Sequence, residues 1–212
     1  MVLRKFGESK ILWTTPAFCH NHTRVFSSAK MIFEKFKAVS MAQEKDHLQK
    51  ALAAAFDEFI AVFSSFDENS INRKPAPHGW TPAQVATHII LATDGVPDAA
   101  TKPLDREIDF YLPAIRPWWE DLSQKFKSPE PLRPDDNHRS KNEVLSELRR
   151  VREKDLKIVA QEDLTLVCLD FELPSIGYLT RYEWLWFIQM HLRRHLFQLQ
   201  NMKWLSCSKS LC

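Results

Sequence analysis

The chain has 212 residues, 44% hydrophobic and 26% charged, with a formal net charge of +2, which suits one globular domain with or without an appendage. Only four glycines occur, at 7, 79, 95 and 177, so phosphate-cradling loops, dinucleotide fingerprints and the serine-hydrolase elbow are excluded. No apolar run nears the roughly 18 residues a bilayer span needs, and Cys19, Cys168, Cys207 and Cys212 form no Cys-x-x-Cys pair, as expected of reduced thiols in a cytoplasmic protein.

Residues 1–40 hold seven Lys/Arg against two acids, leaving 22 basic and 25 acidic residues in 41–212. A mildly acidic body is a poor polyanion binder, so neither a nucleic-acid nor a membrane partner is expected. Two readings of 1–40 stand. The stretch Arg24-Val25-Phe26-Ser27-Ser28 fits a mitochondrial transit segment with its processing site. Alternatively the true start is Met31 or Met41, which the interrupting Glu8 and Glu34 favour. Either way 1–40 is expected outside the fold and poorly ordered.

A first helix is predicted from Gln43 to about Phe66. Leu48, Leu52, Ala55, Phe56, Phe59, Val62, Phe63 and Phe66 recur at the helical period, with acids and lysines on the rest of the cylinder. A second helix opens at Thr81, with Pro82 at its first position and Gln84 completing a capping box. Trp80 and Val85 are spaced to staple that end, and Gly95 and Pro97 stop the helix near Asp94.

Seven prolines break 96–138 into short pieces. The aromatic stretch 108–127 is predicted to hold a short helix packed on the bundle; a lid over a pocket is the alternative to plain packing. A third helix starts at Ser140, capped with Glu143, and runs to about Ala160. After an extended 164–179, in which 164–167 can pair as a short strand, a fourth starts at Thr180 with Glu183 and the staple Leu179–Trp184. It reaches about Trp204. The expected fold is all-α: a four-helix bundle over 41–204 with a long Pro-rich connection between its second and third helices, and a tail at 205–212.

Three histidines take central places on the apolar faces. On the fourth helix His191 and His195 lie about 40° apart, with Trp184, Phe187, Ile188, Gln198, Leu199 and Met202 within about 60° of their mean direction. On the second, Gln84, Val85, Leu91 and Ala92 surround His88 in the same way. Imidazoles at i and i+4 reach a common ion, and a third from a facing helix completes a three-nitrogen site with an open position. Each histidine alone is more commonly a satisfied core residue; their joint placement points to a metal. His47, His78 and His138 fall in surface contexts.

Leu192 follows His191, so the glutamate base of a zincin is missing. No catalytic group can be assigned from spacing. Gln84 and Gln198 are placed to orient a ligand or to bind the ion. Arg194, about 80° from the site direction, either holds an anionic substrate group or is a surface cation. Cys168 reads as a small buried residue rather than a nucleophile.

Gly79-Trp80-Thr81-Pro82 leading to His88, then Gly177-Tyr178-Leu179-Thr180, Glu183-Trp184, Phe187, His191, His195, Leu196 and Gln198, resemble the DinB family of metal-binding four-helix bundles. The likeness covers Met41 to about Trp204 and is weakest over 96–138, which is longer and richer in proline than the family pattern. It implies His88, His191 and His195 as ligands of a divalent ion (nickel or zinc), a homodimer, and a thiol-dependent transferase or isomerase chemistry in some members. Three functions compete: an enzyme activating a low-molecular-weight thiol or water against a small electrophile, in the manner of an S-transferase or hydrolase; a non-catalytic metal-binding stress-response module; and a helical interaction domain with hydrogen-bonded histidines.

Overall fold

The computed structural model describes residues 22–75 and 79–209, with side chains for 39, 41–75 and 79–203. It contains helices α1 (His22–Ser64), α2 (Pro82–Ala92), α3 (Leu112–Glu120), α4 (Lys141–Gln161) and α5 (Arg181–Lys209), and two-residue strands β1 (Thr101–Lys102) and β2 (Val167–Cys168). Two compact units divide at Ala42/Gln43. In the first, the described residues are helical throughout. The expectations for 1–21, and for His78, lie outside the described residues.

α1 starts 21 residues before the predicted Gln43. The reason is visible in the chain: no glycine or proline occurs between Pro16 and Pro75, so no residue there stops a helix. The second unit is the bundle. Its core takes Leu48, Leu52, Phe56, Phe59 and Phe63 from α1, Val85 and Ile89 from α2, Leu148 and Val151 from α4, and Leu185, Leu192 and Leu199 from α5, all fully buried. Each such Leu or Phe contributes about 1.5–3 kcal/mol by leaving water. The result is the all-α four-helix bundle the periodicity predicts.

α2 carries its capping box: Gln84 N donates to Thr81 Oγ1 (3.1 Å) and Thr81 N to Gln84 Oε1 (3.0 Å). The same reciprocal pair opens α5 between Thr180 and Glu183 (3.0 and 2.8 Å). At α4 the expected box is absent, since Ser140 makes no side-chain cap. Glu68, in the loop after α1, accepts from Lys141 N instead (3.1 Å), so a tertiary contact replaces the local one.

The Pro-rich connection holds α3, with Pro113 in its first turn and Pro117 inside, as the aromatic stretch predicts. β2 overlaps the predicted pairing segment 164–167 at Val167, runs one residue past its end, and lies antiparallel to β1, Thr101 opposite Cys168. Glu183 anchors the connection to α5. Fully buried, it receives two bonds from Arg106 (2.9 and 2.7 Å) and one from Tyr111 N (2.7 Å). Gly177 has φ 122°, a conformation that favours glycine, and a Cβ there would press on Tyr111 Oη at 3.1 Å. Among the described residues no helix is long and apolar enough to cross a membrane.

Candidate metal centre

α2 and α5 pack against each other and bring the three histidines together. His191 Nε2 lies 3.1 Å from His88 Nε2 and 3.0 Å from His195 Nε2. One ligand nitrogen from each ring lies within 4.8 Å of the others. His88 and His191 are buried, at 4% and 6% exposure, and His195 is half-buried.

The partners on the far side of two rings set their tautomers. His88 Nδ1 meets the Leu132 carbonyl at 2.7 Å. A carbonyl only accepts, so that Nδ1 holds the proton and Nε2 presents a lone pair. His195 Nδ1 meets Gln198 Oε1 at 2.8 Å with the same consequence. Burial holds the pKa of all three below the ordinary histidine value: His195 down to about 4, with the His88 charge adding to the effect, His191 well below, and His88 lowered despite the Leu132 bond. The rings are neutral at pH 7.

Three neutral rings aiming Nε2 at one point cannot satisfy one another. The single proton on His191 Nε2 serves two lone pairs and leaves the buried His191 Nδ1 without a partner. A divalent cation would satisfy the three facing Nε2 lone pairs, with the His191 proton moved to Nδ1. Bonds of about 2.0–2.1 Å at tetrahedral or facial octahedral angles separate nitrogens by roughly 2.9–3.4 Å. Two of the three separations, 3.0 and 3.1 Å, fall inside that range and all three ligand atoms lie within 4.8 Å of one another, so the cluster is compatible with an ion without selecting zinc over nickel.

Aromatic rings enclose the cluster. Trp80 packs on His88 (4.9 Å between centroids) and His195 (6.5 Å), while Trp119 and Phe187 meet His191 at 5.2 and 6.0 Å. Trp119 and Leu132 belong to the Pro-rich connection, which sequence reasoning treated as plain packing; it supplies a wall and a hydrogen-bond acceptor to the site. Aromatic density over 108–127 signalled the wall. The Leu132 carbonyl had no signal, because any residue could provide it.

The other expected site residues separate. Gln198 orients His195. Gln84 faces away: its Oε1 belongs to the cap and its Nε2 donates to Asp135 O and Asp136 Oδ1 (both 3.0 Å). Arg194 is half-buried and donates to the carbonyls of Trp119 (3.2 Å), Asp121 (3.0 Å) and Gln124. Leu91, placed beside His88 by the helical wheel, is 45% exposed, since the 130–136 segment that covers Gln84 and His88 gives no cover a turn further on. His47 and His138 are exposed, the latter bonded to Asn72. Cys168 is fully buried and its thiol is pushed up to about 12, which removes it as a nucleophile.

A four-helix bundle carrying three converging histidines on two facing helices is thus the class of protein defined by fold and site. The DinB superfamily model matches residues 51–199, and the chain belongs to that superfamily. A solved structure described as TT2238, a four-helix bundle protein, is similar at 23% identity, covering 74% of this chain and 98% of its own, with a TM-score of 0.45. Among curated proteins none matches.

Proposed function

We propose that His88, His191 and His195 hold a divalent ion, zinc or nickel, and that the protein is an enzyme activating a small thiol or water for attack on a small-molecule electrophile. The observation that carries the reading is the convergence of three neutral Nε2 atoms, two of them oriented from behind by Leu132 O and Gln198 Oε1. Once bound, the ion would supply Lewis-acid chemistry that lowers the pKa of a nucleophile.

The chain's own residues favour a thiol over water. Among the described residues, the hydrogen-bond partners of the three rings are a carbonyl, an amide and one another, so no carboxylate base is bonded to the rings to serve a water proton. A thiol, with a pKa near 8.5, needs far less help. Neutral imidazoles leave the ion's charge uncancelled, which attracts an anionic nucleophile. Trp80, Trp119 and Phe187 exclude water and offer apolar surface to the electrophile.

The test pairs elemental analysis of protein purified without an affinity tag with thiol consumption against a model electrophile. About one ion per chain and turnover that disappears in a His191→Ala/His195→Ala variant are expected. Unchanged turnover in that variant removes the enzyme reading. Stoichiometric metal without turnover leaves the second reading, a non-catalytic module in which the ion joins α2 to α5.

A further inference from the structure

We propose that Arg194 is a positioning residue that latches residues 119–126 over the histidine cluster, and that this latch, acting through Trp119, controls how fast a bound divalent ion escapes. The inference rests on the metal reading above for its second half and on geometry alone for its first.

Arg194 lies on α5 between the ligand candidates His191 and His195, yet its guanidinium turns outward to the connection. Nη1 donates to Trp119 O (3.2 Å) and Asp121 O (3.0 Å), and Nη2 donates to Gln124 O. The same cation sits 4.7 Å from the Phe126 ring centroid and 5.9 Å from that of Trp119. Carbonyls in the last turn of a helix and just beyond it have no helical partner, and one planar cation gathers three of them, Trp119 within α3 and Asp121 and Gln124 after it.

The consequence reaches the site through one ring. Trp119 stacks on Phe126 (5.0 Å), meets Phe187 edge-on (4.5 Å) and presses on His191 (5.2 Å). Residues 121–127 are otherwise exposed, and their remaining hydrogen bonds are local turns about Asp121, to Ser123 and Gln124. Among the described residues, Arg194 makes the hydrogen bonds that tie 121–126 to the bundle. Outside the cover lies a groove of about 570 Å³, lined by Trp119, Leu122, Trp186, Met190 and Arg194 and by none of the three histidines. Swinging the cover away would open His191 to that groove.

The experiment follows two readouts in Arg194→Ala, Arg194→Lys and Phe126→Ala. Trypsin cleavage after the exposed Lys125 and Lys127 reports the cover itself, and loss of Zn²⁺ from the loaded protein to excess chelator reports the guarded site. Arg194→Ala is expected to speed both by about tenfold or more, since it removes several charge-assisted bonds. Arg194→Lys, with one charge but no planar fork, should fall between it and the parent. Phe126→Ala, on a 47% exposed ring outside α5, loosens the same cover while leaving the residues of the histidine helix unchanged, and should speed both readouts less. Unaltered cleavage in all three variants overturns the latch; faster cleavage with unaltered Zn²⁺ loss overturns its control of the site. A parent protein that retains no Zn²⁺ overturns the metal reading, while the cleavage arm still decides the latch.

Discussion

Gln198 makes its hydrogen bond to the ring nitrogen of His195 that faces away from the cluster, and such partners fix both tautomer and ring angle. Gln198→Leu is expected to weaken zinc affinity by about 10–100-fold with little effect on the helix, measured by competition with a chromophoric chelator. Gln198→Glu should restore affinity, because a carboxylate accepts the same proton. Protons also act on stability, with two opposite signs. The histidines have folded pKa values below the unfolded 6.5, so between about 6.5 and 4 the unfolded chain binds protons that the native state refuses. Their contribution is present above pH 6.5 and is lost as pH falls through that window. Asp155 does the reverse: fully buried, with Oδ2 unpartnered, it has a pKa pushed up to about 8 by burial, so the native state holds a proton that the unfolded chain has released above about 4. Its contribution is present at low pH and fades as pH rises toward 8. Urea midpoints of metal-free protein from pH 4.5 to 9 should rise and then fall. In Asp155→Asn the decline on the alkaline side should flatten, and an undiminished decline there would reject the assignment to this residue.

At the scale of elements, the helix ends are tied to the connection that crosses them. Thr81 caps α2 while its partner Gln84 also holds the backbone at Asp135, so Thr81→Ala should cost about 1 kcal/mol. Glu183 caps α5 and receives Arg106 and Tyr111 N in a fully buried position. Removing Arg106 strands that carboxylate, so Arg106→Ala should cost about 3–5 kcal/mol by denaturant unfolding, well above an exposed pair such as Lys50–Asp46. A loss below about 1 kcal/mol would show that Glu183 finds water instead. Both capping boxes were legible from spacing alone, because their partners are three residues apart and the bond is local. Neither Arg106–Glu183 nor Glu68 at the start of α4 was legible. Each joins residues more than 70 positions apart, and no periodicity encodes which cation or acid will arrive.

Across the whole molecule, the ion would join α2 to α5 from segments a hundred residues apart. A ligand that binds only the native state adds stability by mass action, about 2.7 kcal/mol at free metal a hundredfold above its dissociation constant. Chelation should therefore lower the melting temperature by several degrees for a bundle of this size, read by calorimetry with and without added zinc. An identical melting temperature after complete removal of metal would falsify the idea that the ion couples these helices. The apolar period along α1, α2, α4 and α5, the breakers between them and the capping signals together determined an all-α bundle. They also determined that His88, His191 and His195 point inward, because the face a side chain takes on a regular helix follows from its position. Asp155 was readable by the same rule, sitting with Val144, Leu148, Val151 and Val159 on one stripe of α4. Only the tertiary structure decided where the Pro-rich connection lies, that Trp119 and the Leu132 carbonyl stand against the histidines, and that Arg194 donates to the backbone of that connection. Segments punctuated by proline have no repeating angle, so their contacts are set by whichever surface they meet when the bundle closes.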